Sequence, residues 1–541
     1  MRHGGQILID QLKIQGVDRV FCLPGESYLA ALDGLFESGI ETIIGRQEGG
    51  VAIMAEAHGK LTGKPGVAFV TRGPGATNAS AGVHIALQDS TPMILFVGQV
   101  ASDQRDREAF QEVDYRQMFA PLAKWVAEID RVDRIPEYIS RAFHMAVSGR
   151  PGPVVLTLPE DMLAQQCEVL DAKPAQPAYQ DVSEASVHKV LTQLQRAENP
   201  ILIAGGGGWS AKAAKDLACF AAALHLPVAT SFRCQDYIDN RHPNYAGDLG
   251  IAPNPALLSR VQSADCLLVL GARMGEMTTD GYELLEIPNP SQTMIHIHSD
   301  ANEIGRVYRP HLGLACAPSQ FLAQALNTLH RPPAAQQASP EHKEYLAWQV
   351  PSATPGAVQL EQVILYLSAT LADDAILTNG AGNYAGWLHR YFRYKAYRTQ
   401  LAPTSGSMGY GLPAAVSAKL AHPERTVVCL AGDGCFQMSM QEFGTAVQYG
   451  ANIIVIVVNN GVYGTIRMHQ QKTYPDRPSG TDIRNPNFAA LARSYGGFGA
   501  TITKTDQFSD AFAAALAAKA PAILDVQTDP RAVTTRSSTA S

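Results

Sequence analysis

An aspartate and an asparagine close two apolar runs at a spacing that could bring their oxygens together. Asp433 is the second-last residue of VVCLAGDG, and Asn460 is the last residue of IIVIVVNN. Between the Gly-Asp-Gly and Asn-Asn motifs lie 24 residues (435–458). Each run is typical of a buried strand and the stretch between them of a helix, which makes one βαβ unit. Because ligands of parallel sheets bind beyond the carboxyl ends of the strands, we expect Asp433 and Asn460 to share one ion.

The ion that suits these ligands is Mg²⁺. An aspartate oxygen, an asparagine oxygen and a backbone carbonyl are hard ligands but too few to fill an octahedron, so phosphate oxygens and water must supply the rest. Gly432 and Gly434 let the backbone approach such an anion, and the N-terminus of the following helix adds donors and positive potential. The motif therefore predicts a metal together with a diphosphate.

A candidate acid–base residue lies near the start of the chain. In IIGRQEGGVAIMAEAHGK, Glu48 follows a short apolar run and precedes a helix that is apolar at Ala52, Met54 and Ala55. A carboxylate among apolar neighbours at a strand end is suited to exchange a proton with a ring nitrogen. The alternative is that Glu48 only stabilises the helix N-terminus through the helix dipole.

Parallel α/β sheets are needed to position these residues. Two stretches rich in Pro, Ala and polar residues, 168–185 and 330–357, are typical of linkers and divide the chain into three pieces. Each piece alternates helical patterns with continuous β-branched runs such as GVAFVT, CLLVLGA and VVCLAGDG, which is typical of strands buried on both faces. We predict an α/β fold with three doubly wound parallel-sheet domains, 1–167, 186–329 and 358–531.

Composition and charge exclude several function classes. Charged residues make up 17% of the 541 residues, and the formal net charge is -7 without any Lys/Arg-rich run. The chain therefore has no basic footprint for nucleic acid or an anionic membrane, and small molecules are the expected partners. The first residues lack a signal-peptide core, and no apolar run is long enough to span a membrane, so we expect a cytoplasmic protein.

The spacing from Gly432-Asp433-Gly434 to Asn459-Asn460 resembles the binding motif of thiamine diphosphate enzymes. Over essentially the whole chain the resemblance is strongest to acetolactate synthase, also called acetohydroxyacid synthase, through VFCLPGES, TRGPGATNA, VGQV, AFQEVD, GRPGPVVLTLPED, LGAR and SGSMGYGLPAA. It implies a pyrimidine-binding first domain, a central domain and a diphosphate-binding third domain. It also implies a homodimer with shared active sites, assembled as a dimer of dimers, because the family's glutamate reaches across a subunit interface.

The resemblance assigns roles to individual residues. Glu48 would activate the cofactor by stabilising its imino tautomer, Met408 would bend the cofactor, and the carbonyl of Gly406 would accept from its 4'-amino group. The alternative for Met408 is a core methionine. The Mg²⁺ ligands would be Asp433, Asn460 and the carbonyl of Val462. Other cofactor contacts would come from Pro24, Gly25, Asn383, Ser407, Gly432, Gly434, Cys435 and Gly464. Substrate contacts would come from Glu26, Ser27, Phe110, Gln111, Thr465 and His469.

Several positions depart from the acetolactate synthase pattern where the second substrate should bind. Met277 in GARMGEMTT replaces an arginine that pairs with the acceptor's carboxylate, and a methionine cannot hold a carboxylate. His469 replaces a tryptophan, and Thr465 a methionine. Glu26 and Ser27 replace two small residues. The carboxylate of Glu26 suggests a cationic substrate tail as a hypothesis, and an exposed glutamate that points away from the site is the alternative.

The resemblance leaves two cofactor questions open. In TNGAGNYAGW, Asn383, Tyr384 and Ala385 replace Gln-His-Gln, so phosphate contacts must come from the backbone or from other groups. Acetolactate synthases also hold an FAD against the central domain, and PILIAGGGGW with Arg273 in LGAR suits a nucleotide. The Gly-Met-His-Gly element expected between them reads AGDLGIAPN here, so FAD is left open.

The resemblance implies an enzyme that uses thiamine diphosphate and Mg²⁺. It would decarboxylate a 2-oxo acid, with pyruvate as the first candidate, and ligate the activated aldehyde to a second carbonyl compound, as a transferase or a lyase. One alternative is a 2-oxo acid decarboxylase without ligation, for a cationic or larger 2-oxo acid. Another is a catalytically silent subunit that keeps the fold, which the presence of Glu48, Asp433 and Asn460 disfavours.

Overall fold

The protein is described by a computed structural model that covers residues 1–178, 180–329 and 337–535. Within them, three six-stranded sheets have only parallel strand pairs, and a two-stranded antiparallel pair accompanies the first sheet. The predicted α/β class with three parallel sheets is confirmed. Parts of both predicted linkers, residue 179 and residues 330–336, lie outside the described residues.

The first sheet is built from residues before 168. The helices and strands of this part, in chain order, are β1 (Arg2–His3), α1 (Gly4–Ile14), β2 (Arg19–Cys22), α2 (Leu29–Leu35), β3 (Glu41–Ile44), α3 (Glu48–Thr62), β4 (Gly66–Val70), α4 (Pro74–Asp89), β5 (Met93–Gln99), α5 (Tyr115–Phe119), β6 (Trp125–Glu128), α6 (Ile135–Val147), β7 (Pro153–Pro159), α7 (Glu160–Ala164) and β8 (Gln166–Cys167). Every residue of β4, β5 and β7 is buried, as expected for strands covered on both faces.

The second sheet lies in the middle of the chain. Its helices and strands, with one further helix, are α8 (Glu184–Arg196), β9 (Pro200–Ala204), α9 (Ala211–Leu224), β10 (Val228–Thr230), β11 (Tyr245–Asp248), α10 (Pro255–Gln262), β12 (Cys266–Leu270), β13 (Thr293–His298), β14 (Leu312–Ala315), α11 (Pro318–Leu329) and α12 (Pro340–Trp348). The helix α12 lies inside the predicted second linker, so that part of the linker prediction is wrong. Ser339 caps α12 by accepting from the N–H of His342, and His342 and Tyr345 are buried.

The third sheet carries the Gly-Asp-Gly motif. The helices and strands of this part are α13 (Leu360–Thr370), β15 (Ile376–Asn379), α14 (Ala385–Tyr391), β16 (Gln400–Leu401), α15 (Gly411–Ala421), β17 (Val427–Gly432), α16 (Asp433–Gln437), α17 (Glu442–Gln448), β18 (Ile454–Asn459), α18 (Gly464–Thr473), α19 (Phe488–Ser494), β19 (Phe498–Ile502), α20 (Phe508–Ala517) and β20 (Ala522–Gln527). The single helix predicted between Asp433 and Asn460 is therefore two short ones, because residues 438–441 form a turn.

The second sheet differs from the other two in the order of its strands. The first sheet runs β3-β2-β4-β5-β7-β6 and the third runs β16-β15-β17-β18-β20-β19, so both share the order 2-1-3-4-6-5 when their strands are counted along the chain. The second runs β11-β10-β9-β12-β13-β14, an order of 3-2-1-4-5-6. The outer sheets are thus two copies of one topology, and the central sheet has the topology of dinucleotide-binding folds.

By contact density the described residues form two compact units. Unit 1 contains Met1–Ala178, Gly409–Glu424 and Met438–Ile453, and unit 2 contains the remaining described residues. The first sheet therefore lies in unit 1 together with α15 and α17, and the second and third sheets lie in unit 2. None of the helices in the described ranges has the length and apolar character needed to cross a bilayer.

Candidate active site

In unit 2, the carboxyl edge of the third sheet places Asp433 against the loop that follows β18. β17 and β18 are neighbours with Gly432 opposite Val458, so the two strands end at the same edge. Asp433 is 3% exposed, and its Oδ2 accepts from the N–H of Gly461 at 2.8 Å and from the amide of Asn485 at 2.6 Å. The carboxylate and the loop after IIVIVVNN thus form one hydrogen-bonded group.

Asn460 and Val462 lie in that loop. Asn460 Oδ1 accepts from the N–H of Val462 at 3.1 Å, and Gly461 between them has a φ of 67°, which a side chain would strain. Among the residues that the structure describes, no cluster of His, Cys, Asp and Glu could hold a metal by itself. The hard oxygens of Asp433, Asn460 and Val462 suit Mg²⁺ whose other ligands come from phosphate and water, so this edge fits the predicted metal and diphosphate.

Asn485 belongs to this edge and was not predicted. Its amide donates to Asn459 Oδ1 at 2.7 Å as well as to Asp433, and Asn459 donates to Asp525 Oδ1 at 2.9 Å. Burial raises the pKa of Asp525, and the hydrogen bond from Asn459 opposes that rise. Asn485 lies in the loop RNPNF, where no apolar run precedes it, so the strand-end signal that identified Asp433 could not identify Asn485.

The loop after β15 borders the point where the strand order of the third sheet reverses, between β15 and β17. Such reversals are the usual ligand sites of open α/β sheets. The side chain of Tyr384 packs against this loop. Its hydroxyl accepts from the N–H of Gly380 at 3.1 Å and donates to Cys435 Sγ at 3.3 Å. A Cβ on Gly432 would lie 2.9 Å from the Tyr384 ring. Because the Cys435 thiol faces Tyr384, a cofactor contact from Cys435 would come from its main chain.

Asn383 and Thr465 are hydrogen-bonded to each other. The N–H of Asn383 donates to the Thr465 hydroxyl at 3.1 Å, and that hydroxyl donates to Asn383 Oδ1 at 2.9 Å. The Asn383 amide also donates to the carbonyl of Val533 at 2.8 Å. The structure therefore joins a predicted cofactor residue to a predicted substrate residue. Gly464 begins α18, on which His469 is exposed and no residue is buried.

Arg233 connects two of the predicted cofactor loops and was also not predicted. It is 3% exposed, and its guanidinium donates to the carbonyls of Gly380 and Pro403. Pro403 precedes Gly406, whose φ is 68° and at which an added Cβ would meet nothing within 4 Å. Met408 packs against the edge of the core of the third sheet. Arg233 is 147 residues from Gly380 in sequence, so no local pattern links the two.

In unit 1, Glu48 is the first residue of α3. Gln47 caps this helix by accepting from the N–H of Gly50, and Gly63 ends it with a φ of 76°. Glu48 is 8% exposed, and its Oε2 accepts from the amide of Asn78 at 3.0 Å. The strand end, the cap and the apolar helix therefore leave a buried carboxylate with a neutral hydrogen-bond donor among the described residues, an environment that suits the predicted proton exchange.

Glu442 anchors the turn that precedes Glu48. It is 0% exposed, and its carboxylate accepts from the N–H groups of Arg46 at 3.0 Å and Gln47 at 3.1 Å, and from the Thr445 hydroxyl at 2.7 Å. Burial raises the pKa of Glu442, and these hydrogen bonds oppose that rise. The carboxylate touches Gly50, where a Cβ would lie 2.5 Å from Oε1. No local sequence pattern could predict this contact, because Glu442 is 395 residues from Gln47.

The side chain of Arg72 contacts the two predicted substrate loops of unit 1. Its side chain is 9% exposed and pairs with Glu26 at 2.9 Å and Glu160 at 3.0 Å, while Nε donates to the carbonyl of Phe110 at 3.2 Å. Glu26 remains 65% exposed. A cationic substrate tail at Glu26 would therefore compete with a cation of the chain itself.

The loop 24–27, with Pro24 exposed, lies directly against the strand end at Thr71. A Cβ on Gly25 would come within 2.4 Å of Thr71 Cβ, and the Ser27 hydroxyl lies 2.9 Å from Thr71 Oγ1. Ser27 is fully buried, so its hydroxyl holds the loop together. Gln111 has a φ of 66°, and its backbone lies close to Gly73, two residues after Thr71.

Sequence comparisons place the whole chain among known proteins. Three models of the thiamine pyrophosphate enzyme family match it: the N-terminal TPP binding domain over residues 2–118, the central domain over 187–325 and the C-terminal TPP binding domain over 380–526. The chain is 31% identical to the acetolactate synthase isozyme 2 large subunit of Escherichia coli, over 97% of the chain and 96% of that protein. It is 33% identical to an acetolactate synthase large subunit of Parasynechococcus marenigrum, over 97% and 87%.

Proposed function

The chain belongs to the thiamine pyrophosphate enzyme family and is close to the acetolactate synthase large subunits, and on that premise we propose that it decarboxylates a 2-oxo acid and ligates the activated aldehyde to a second carbonyl compound. Pyruvate is the first candidate donor. The observation that carries the proposal is that one chain combines a buried carboxylate at the start of α3 with the Asp433 edge of the third sheet.

In this proposal some residues of the chain transfer a proton and others bind the metal and the cofactor. When bound, thiamine diphosphate supplies a nucleophilic carbon and an electron sink. Glu48 would hold and return a proton at the cofactor's pyrimidine nitrogen, and its burial keeps water from competing for that proton. Asp433, Asn460 and the carbonyl of Val462 would hold Mg²⁺ and through it the diphosphate. Gly406 and Met408 would set the cofactor's shape.

Glu442 would act as a positioning residue in this scheme. Replacing it with glutamine keeps its size and one acceptor oxygen for the N–H groups of Arg46 and Gln47, but removes the negative charge that strengthens these hydrogen bonds and puts amide hydrogens at the oxygen that accepts from Thr445. The turn before Glu48 should then shift, and we expect kcat to fall about 10- to 100-fold while the cofactor's Kd changes little. Exchange of the cofactor's C2 proton, followed by NMR, should slow in parallel with kcat.

Thr445→Val is the matched control for Glu442→Gln, because it removes one partner of Glu442 and leaves both N–H contacts in place. We expect Thr445→Val to keep most of the C2 exchange rate. An unchanged exchange rate in Glu442→Gln would show that the anchor does not position Glu48.

Product analysis tests the proposed function directly. The purified protein is incubated with pyruvate, thiamine diphosphate and Mg²⁺, carbon dioxide release is followed, and the products are identified by NMR. Acetolactate supports the carboligase. Acetaldehyde supports the alternative decarboxylase without ligation, which the loss of an acceptor arginine at Met277 favours. Absence of turnover with pyruvate and with larger or cationic 2-oxo acids would contradict both reactions.

Several finer statements stay predictions. These are the choice between transferase and lyase chemistry, the homodimer with shared sites and its pairing into a tetramer, and the cytoplasmic location. The domain limits 1–167, 186–329 and 358–531 are likewise proposed. The family models fall inside these three ranges, which supports the limits without setting them.

A further inference from the structure

The strand order of the second sheet points to one place where a dinucleotide would bind. The order β11-β10-β9-β12-β13-β14 reverses between β9 and β12, and ligands of such sheets lie in the crevice beyond the carboxyl ends of these two strands. The resemblance to acetolactate synthase implies FAD against this part of the chain. Whether FAD fits depends on what occupies the crevice.

Side chains of the protein occupy it. Trp209, 7% exposed, donates from its indole Nε1 to the carbonyl of Gly205 at 2.8 Å. Tyr237 donates from its hydroxyl to the carbonyl of Gly206 at 2.6 Å, and its ring lies 5.1 Å from that of Trp209. Two aromatic rings therefore lie over the glycine-rich end of β9, and both bond to its carbonyls.

The main-chain segments that follow β9 and β12 also approach each other closely in this crevice. The N–H of Gly205 donates to the carbonyl of Leu270 at 3.1 Å, so the two loops stay paired beyond the ends of their strands. A Cβ on Gly206 would lie 1.9 Å from the carbonyl oxygen of Gly271, and a Cβ on Gly271 would lie 2.7 Å from Pro318. The glycines here serve the close approach of one protein segment to another, which is the structural alternative to phosphate binding.

The neighbouring cavity beyond β12 and β13 offers no substitute. It measures about 120 Å³, below the range of roughly 300 to 1,000 Å³ that is usual for ligand pockets. Arg273, which matches a flavin contact of the family, pairs across this cavity with Glu303 at 3.4 Å, and Glu303 also pairs with Arg306 at 2.9 Å. The single carboxylate of Glu303 is shared by two arginines and offsets only part of their charge, so the small volume of this cavity, not its charge, argues against a flavin.

We propose that this chain holds no flavin, because Trp209 and Tyr237 fill the crevice that FAD would enter and turn it into packed core. The loss of the Gly-Met-His-Gly element, read here as AGDLGIAPN, is consistent with this. The proposal does not depend on the reaction catalysed, since it concerns what the second sheet can bind.

Flavin binding is measured on the full chain loaded with thiamine diphosphate and Mg²⁺. The protein is incubated with excess FAD and passed over a desalting column, and the flavin that stays with it is quantified by absorbance. Tryptophan fluorescence and the thermal midpoint are recorded with and without FAD. We expect no retained flavin, no quenching and no shift of the midpoint. Flavin retained at one per chain would overturn the proposal.

Two variants test whether Trp209 packs as described. Trp209→Ala should lower the thermal midpoint by several degrees because it removes the indole that fills the crevice. Trp209→Phe keeps an aromatic ring there and should lower the midpoint much less. Equal midpoints for wild type and Trp209→Ala would show that the indole is not part of a packed core and would also overturn the proposal. Thiamine diphosphate binding, measured in parallel, separates this result from a failure of the proposed reaction.

Discussion

Glu48→Gln is expected to bind thiamine diphosphate normally and to lose most of its turnover. Glutamine keeps the size of Glu48 and can keep the contact with Asn78, but it cannot take up or return a proton. Positioned acid–base groups contribute about 10²- to 10⁴-fold to rate, so a fall of that size in kcat is expected. Carbon dioxide release from the best 2-oxo acid gives kcat, and a cofactor titration gives the Kd.

Glu56→Gln is the matched control for Glu48→Gln. Glu56 lies two helical turns further along α3, is fully buried and accepts from the Tyr410 hydroxyl at 2.7 Å. Burial raises the pKa of Glu56 to about 7, so this carboxyl is partly neutral at neutral pH and an amide is a tolerable replacement. We expect Glu56→Gln to keep turnover within a few-fold of wild type. Near-wild-type decarboxylation by Glu48→Gln would remove the proposed role of Glu48.

Asp433→Asn is expected to abolish tight binding of the cofactor. The substitution removes the negative charge that would hold Mg²⁺, and it places amide hydrogens among the donors of Gly461 and Asn485. Losing one member of a buried, hydrogen-bonded charge pair costs 2 to 5 kcal/mol or more, so the Kd of thiamine diphosphate at fixed Mg²⁺ should rise about 10²-fold or more. Activity should return only partly at saturating cofactor.

Asp482→Asn controls for charge near this edge. Asp482 is 86% exposed and pairs with Arg467 on the surface, so its loss should leave cofactor affinity almost unchanged. Isothermal titration with thiamine diphosphate over a series of Mg²⁺ concentrations distinguishes the two variants. Equal affinities for Asp433→Asn and wild type would place the metal elsewhere in the chain.

Sequence patterns predicted the elements whose signals are local. All three sheets follow from continuous apolar runs, and the Asp433 edge follows from two such runs that end in polar residues. The linker prediction failed at α12 because Pro and Ala suggested irregular chain. There, the capping residue Ser339 and Pro340 at the first turn instead begin a helix that buries His342 and Tyr345.

The amino-acid sequence alone thus determined the fold class, the strand ends and the residue types predicted to do the chemistry, because burial periodicity and turn preferences act over a few positions. Folding in three dimensions decided which distant residues support that chemistry. Glu442 contacts the turn before Glu48 although it is 395 residues from Gln47, and Arg233 joins two of the predicted cofactor loops. Trp209 occupies a crevice that its glycine-rich neighbours alone would assign to a nucleotide. Such contacts depend on strand order and side-chain packing, which no short stretch of sequence encodes.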